Sequence, residues 1–158
     1  MRADFKHLLL AEMRANKDII LLTGDLGYRF LDAIRDELPD QFVNVGSSEF
    51  LMIGIGCGLA LSGKIPICHS ISSFLLWRAA EQHRLYLNGE NIPVKLLGSG
   101  RGTDYEHDNL SHFATDDRAF LSVLPNIVGF WPNDMTECAA QFKEFLYNGR
   151  PSYLNLKR

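Results

Sequence analysis

Six short apolar runs, at 18–22, 42–45, 65–68, 94–97, 127–130 and 152–156, are each separated from the next by a stretch of helical spacing. Strands so short and so uniformly apolar are covered on both faces, which is the condition of a parallel sheet rather than of hairpins with one wet side. The intervening helical segments fall at 4–15, 30–38, 49–62, 73–87, 116–123 and 135–147. This alternation predicts an α/β fold, a three-layer α/β/α domain around a mostly parallel six-stranded sheet. A chain of 158 residues is one domain's worth. One connection breaks the pattern of short links. The segment 98–115 is rich in glycine, histidine and acid, and a loop that long inside a compact domain is usually functional.

Charge and cysteine content exclude several classes. The net charge is −3 and the 16 Lys and Arg residues are scattered, so no electrostatic footprint for nucleic acid exists. Cys57, Cys68 and Cys138 are odd in number and lack metal or disulfide spacing. The N-terminal residues have an apolar patch broken by charges and no cleavage site of a signal peptide. No apolar run is long enough for a membrane span. These features predict a cytoplasmic protein with neither a nucleic-acid nor a membrane partner.

Within this frame one side chain stands out. Glu49 is the only formally charged residue between Asp40 and Lys64, in a stretch otherwise apolar, small or neutral. A carboxylate taken into such surroundings must be paired, hydrogen-bonded or held protonated. Two readings fit. Ser47 and Ser48 are natural caps, which would make Glu49 a first-turn acid favoured by the helix dipole. Alternatively the acid belongs to a site, and its place after the second strand favours this, because ligands of open α/β sheets bind beyond the carboxyl ends of the strands. Asp25, His69, Ser70 and the loop beginning at Gly98 fall at the corresponding ends.

The remaining motifs are weaker. Gly98-Ser-Gly-Arg-Gly102 follows a strand as a phosphate-binding turn would, but no helix follows it. Gly54, Gly56 and Gly58 lie inside a helix, where they read as close packing against the sheet or a neighbouring subunit. Phe74 and Trp77 share a helical face and read first as ordinary core aromatics, with the walls of a pocket as the second reading. His107, Asp108 and His112 lack a defensible metal spacing, and serve as well for hydrogen bonding to a polyhydroxylated ligand or as a solvated loop.

Taken together, Thr23-Gly-Asp-Leu-Gly27, Gly46-Ser-Ser-Glu-Phe50, Gly58-Leu-Ala-Leu-Ser-Gly-Lys-Ile-Pro66, Ser73-Phe74 with Gln82, and Asp108-Asn-Leu-Ser-His112 resemble the pyrimidine-binding domain of the transketolase family. The resemblance spans nearly the whole chain. It implies thiamine diphosphate as cofactor, with Glu49 hydrogen-bonding N1′ of the aminopyrimidine and so favouring the tautomer whose 4′-nitrogen removes the thiazolium C2 proton. It also implies that Phe74 stacks on the pyrimidine, with Ile71, Trp77 and Asp25 completing the cofactor pocket. Ile71 stands where an aromatic is usual. His112 is implied in catalysis and, with Asp108, in contacts to sugar hydroxyls, while Arg29 and Arg2 fall near positions that hold a substrate phosphate. Asn109 replaces a usual glycine, and His107 a usual acid.

The resemblance further implies a single pyrimidine-binding domain over 1–158, without the diphosphate-binding and C-terminal domains of ordinary transketolases. The expectation is then a two-component enzyme that transfers a ketol unit between sugars. A separate diphosphate-binding subunit would hold Mg2+ or Ca2+ and complete a heterotetramer. A subunit of a 2-oxo acid decarboxylase or carboligase, or a non-catalytic regulatory module of the same fold, remain the alternatives.

Overall fold

The computed structural model describes residues 1–158, except for the side chain of Arg2. In chain order the main elements are α1 (Arg2–Ala15), β1 (Ile19–Thr23), α2 (Asp32–Glu37), β2 (Phe42–Asn44), α3 (Glu49–Leu61), β3 (Ile65–Ile71) and α4 (Ser72–Trp77). They continue with α5 (Ala80–Gln82), β4 (Lys95–Ser99), α6 (Asp117–Ser122), β5 (Val128–Phe130), α7 (Met135–Tyr147) and β6 (Ser152–Leu156). The strands form one sheet in the order β2-β1-β3-β4-β6-β5, and every neighbouring pair is parallel. The predicted α/β/α architecture is therefore the observed one.

The apolar runs explain the layers. Strands β1, β4 and β6 are buried along their whole length, as double coverage requires. On one face Phe5, Leu9 and Met13 of α1, Ile34 of α2 and Phe142 and Phe145 of α7 pack against Leu21, Ile67 and Leu97. On the other, Met52, Ile53 and Cys57 of α3, Leu75 and Leu76 of α4 and Phe120 and Leu121 of α6 pack against Leu22, Cys68 and Leu96. The packing reading holds for two of the α3 glycines. A methyl group on Gly56 would lie 2.9 Å from Cys68 Sγ, and one on Gly54 would lie 3.3 Å from Gln82 Nε2, whereas Gly58 faces open space. The outer face of α3 is exposed and apolar at Phe50, Leu51 and Leu61.

Two elements differ from their predicted extents. β3 runs on to Ile71, so His69 lies inside the strand, its Nδ1 2.9 Å from the Leu97 carbonyl and its ring against Phe30. The helix predicted at 73–87 is broken into α4, α5 and a π-helical turn, His83–Gly89. His83 is fully buried there, and its Nε2–H donates to the Leu75 carbonyl at 2.8 Å, a side chain taking a helix acceptor. Burial pushes the His83 imidazole down to about 4, a shift partly opposed by the Leu75 bond. Among the described residues, no helix is long and apolar enough to cross a membrane.

Candidate active site

The strand order reverses between β1 and β3, because α2 carries the chain to β2 on one side of β1 and α3 carries it back to β3 on the other. The two helices lie on opposite faces, which opens a crevice at the carboxyl ends of β1 and β3. Glu49 begins α3 at that crevice. Ser48 is the N-cap, its Oγ accepting from the Leu51 N–H at 3.4 Å, so the capping reading holds and Glu49 is a first-turn acid.

Glu49 is 2 % exposed and both of its oxygens are engaged. Ser70, on the same face of β3 as Cys68, donates its hydroxyl to Oε1 at 2.7 Å. Arg78 donates Nη1 to Oε2 at 2.9 Å, although its own side chain is 47 % exposed. A hydrogen bond and an ion pair, the partners that a buried acid needs, are both present. Gly24, immediately after β1, is the neighbour of Oε1 from that strand: a methyl group there would lie 3.7 Å away, at ordinary contact distance.

Phe74 stands beside this acid. The Arg78 guanidinium carbon lies 3.6 Å from the centroid of its ring. The His112 ring packs edge-on against it, with centroids 4.7 Å apart. The contact is held by Ser73, whose hydroxyl donates to the Ser111 carbonyl at 2.8 Å and ties α4 to the turn Leu110–His112. A cavity of about 480 Å3 opens next to Phe74, lined also by Trp77, Arg78, Ser111, Phe113 and Thr115. Its volume lies within the range of small-molecule sites.

Arg78 links Glu49 to Phe74, Phe74 touches His112 and lines the cavity with Trp77, and the other predicted site residues lie apart from this chain of contacts. Trp77 packs on Phe120 at 4.9 Å between centroids while remaining half-exposed to the cavity. Ile71 is half-buried at the end of β3. Asp108 is on the same loop as His112, its Oδ2 3.1 Å from His107 Nε2. Asp25 sits next to Gly24 with its carboxylate accepting from Tyr28 and Asn44, at 3.3 and 3.4 Å. Arg29 lines a separate cavity of about 180 Å3 with Lys6 and Tyr28. The Arg2 side chain lies outside the described residues.

Sequence reasoning missed Arg78, gave Ser73 no role beyond its place in a motif, and saw Ser70 only as a strand-end residue. Arg78 follows Phe74 by one helical turn, a spacing that could have paired them. The departure at Asn109 has a local account. Its backbone is at φ 63°, ψ −162°, a region that favours glycine, and its own Oδ1 accepts from the Leu110 N–H at 2.7 Å. Burial pushes the Cys57 and Cys138 thiols up to about 11 and Cys68 further up, which leaves them unsuited to nucleophilic work. No cluster of three or more His, Cys, Asp or Glu side chains able to hold a metal occurs among the described residues.

Comparison with known proteins identifies the family and the fold. Residues 1–158 match the family described as the transketolase pyrimidine-binding domain. The chain is 29 % identical over 159 residues to the 6-deoxy-6-sulfo-D-fructose transketolase subunit SqwH of Clostridium sp. (strain MSTE9), covering 100 % of this chain and 49 % of the relative. It is 32 % identical over 158 residues to an apulose-4-phosphate transketolase subunit of Phocaeicola vulgatus, covering 99 % of this chain and 51 % of the relative. Among solved structures, a split gene transketolase described as an inactive β4 tetramer superposes with a TM-score of 0.86 at 28 % identity, over 99 % of this chain and 50 % of that one. The chain spans about half the length of these relatives. With the matching family covering every residue and the fold shared, this chain belongs to the transketolase family as a pyrimidine-binding domain.

Proposed function

We propose that the chain is the pyrimidine-binding half of a two-component, thiamine diphosphate-dependent transketolase that moves a ketol unit between sugars. The observation that carries the reading is Glu49, a buried carboxylate at the switch point of the sheet with an aromatic face, Phe74, beside it. The donor set fits the aminopyrimidine half of the cofactor. Glu49 would offer a ring nitrogen the oxygen that Arg78 now occupies, and Phe74 gives a flat apolar wall. When bound, the cofactor supplies the carbanion chemistry that a ketol transfer needs.

The chain's own residues would do the rest. Glu49 holds or shares a proton at the ring nitrogen, and Ser70 fixes the orientation of its carboxylate from a buried strand position. His112, against Phe74 and half-buried, is proposed to contact the sugar, with Asp108 on the same turn. Asp25 and Ile71 would border the cofactor, and Arg29 and Arg2 a substrate phosphate. The relatives named for a sulfonated and a phosphorylated sugar support a sugar substrate. We further propose that Mg2+ or Ca2+ and the diphosphate are held by a separate subunit in a heterotetramer. The exposed apolar face of α3, at Phe50, Leu51 and Leu61, and the β4 tetramer described as inactive support this division.

The test is reconstitution. Mixed with a diphosphate-binding transketolase subunit, the chain should bind thiamine diphosphate and magnesium in a calorimetric titration that neither chain shows alone. Tight binding by the isolated chain would contradict the divided site.

A further inference from the structure

Arg78 makes two contacts at once, and both fall on surfaces that the proposed function assigns to the cofactor. Its Nη1 donates to Glu49 Oε2 at 2.9 Å, and its guanidinium carbon lies 3.6 Å from the Phe74 centroid. A guanidinium is a flat N–C–N unit with donors in its plane, and it stacks on aromatic rings. An aminopyrimidine presents the same features, a flat ring with nitrogen atoms along its edge. Two flat groups cannot share one face of Phe74 at van der Waals distance.

We propose that Arg78 is the resident occupant of the pyrimidine seat and that the cofactor enters by displacing it. The inference rests on the proposed function for the identity of the ligand. The side chain is built to leave. It follows the last residue of the short helix α4, is 47 % exposed, and borders the 480 Å3 cavity into which it can swing. Ser70, by contrast, is fully buried in β3, so Glu49 keeps one hydrogen bond throughout the exchange.

Arg78 also sets a condition on what may replace it. Removing the cation leaves a buried carboxylate short of a partner, which is costly unless the incoming group bonds to it. A flat apolar molecule would gain Phe74 and strand Glu49. Only a flat ligand with an edge nitrogen compensates both losses, so Arg78 acts as a specificity-determining residue for the pyrimidine.

The test is a titration of the isolated full chain with the aminopyrimidine alcohol that forms half of thiamine, followed by NMR shifts of the Phe74 and His112 rings. If Arg78 holds the seat most of the time, Arg78→Gln should bind the fragment about tenfold more tightly than the unaltered chain, because the competent fraction rises. Arg78→Lys keeps the charge without the plane and serves if Arg78→Gln fails to fold; its affinity should rise by a smaller factor. Equal or weaker affinity in the folded Arg78 variants, with Phe74 still perturbed, would overturn the displacement and leave the pyrimidine reading intact. Absence of any Phe74 or His112 shift in the folded Arg78 variants as well would overturn the displacement, because emptying the seat would then admit no pyrimidine, whereas the proposed function is decided by the reconstituted complex.

Discussion

Glu49 and Asp117 are both buried acids at the first position of a helix, and they are held in opposite ways. Asp117 is 5 % exposed and its Oδ2 accepts from Trp131 Nε1 at 2.8 Å, Tyr153 OH at 3.2 Å and Asn155 Nδ2 at 2.8 Å. Its donors come from β6 and from the segment after β5, and the tyrosine and asparagine are themselves fully buried. Glu49 has one such fixed donor, Ser70, and one half-exposed cation. An acid enclosed by fixed neutral donors can only hold the fold together. One whose second partner reaches in from the surface can exchange that partner for a ligand. The left half of the sheet, β2-β1-β3, thus carries the exchangeable acid, and the right half, β4-β6-β5, carries the frame.

The largest effect should come from Glu49→Gln. In the assembled enzyme, turnover should fall by about a thousandfold, the scale of a lost acid–base group, while thermal unfolding of the chain moves little. A comparable loss of melting temperature would erase the distinction between the two acids. Asp117→Ala should show the reverse signature. It leaves three donors without their acceptor, so chemical denaturation should report a loss of roughly 3–5 kcal/mol. The folded fraction should keep its cofactor affinity.

A smaller effect concerns His83, which packs against Phe120 of α6 on the Asp117 side of the molecule. Its folded pKa is lowered from 6.5 to about 4, so between those values the unfolded chain binds the proton and the folded chain does not. Stability is therefore full above the unfolded value and falls as pH drops toward the folded one, by at most roughly 3 kcal/mol. Urea unfolding at about pH 7 and about pH 4.5 should show this loss, and His83→Gln should flatten it.

Much of the fold was legible because burial on two faces leaves a direct trace. All six strands appear where an apolar run predicts one. The extension of β3 was not legible, since His69 and Ser70 are polar and only tertiary partners, the Leu97 carbonyl and Glu49, account for their burial. The break in the 73–87 helix was hidden for the same reason, as it involves a contact between His83 and Leu75.

The two acids show the limit for the site. Glu49 was visible because its neighbours carry no charge. Asp117 lies between Asp116 and Arg118 and reads as part of a solvated face, although three donors converge on it. Arg78 was overlooked because an arginine following a helix is ordinarily solvated, and its role depends on a glutamate 29 positions away.

The central claim is that Glu49 promotes proton removal from a cofactor held jointly with another subunit. The most direct measurement is the exchange of the thiazolium C2 proton for deuterium in the reconstituted complex, followed by NMR of the quenched cofactor. With Glu49 intact, exchange should be fast, and with Glu49→Gln it should slow by about a thousandfold while the cofactor remains bound. An unchanged exchange rate in a folded, cofactor-loaded Glu49→Gln complex would contradict the account.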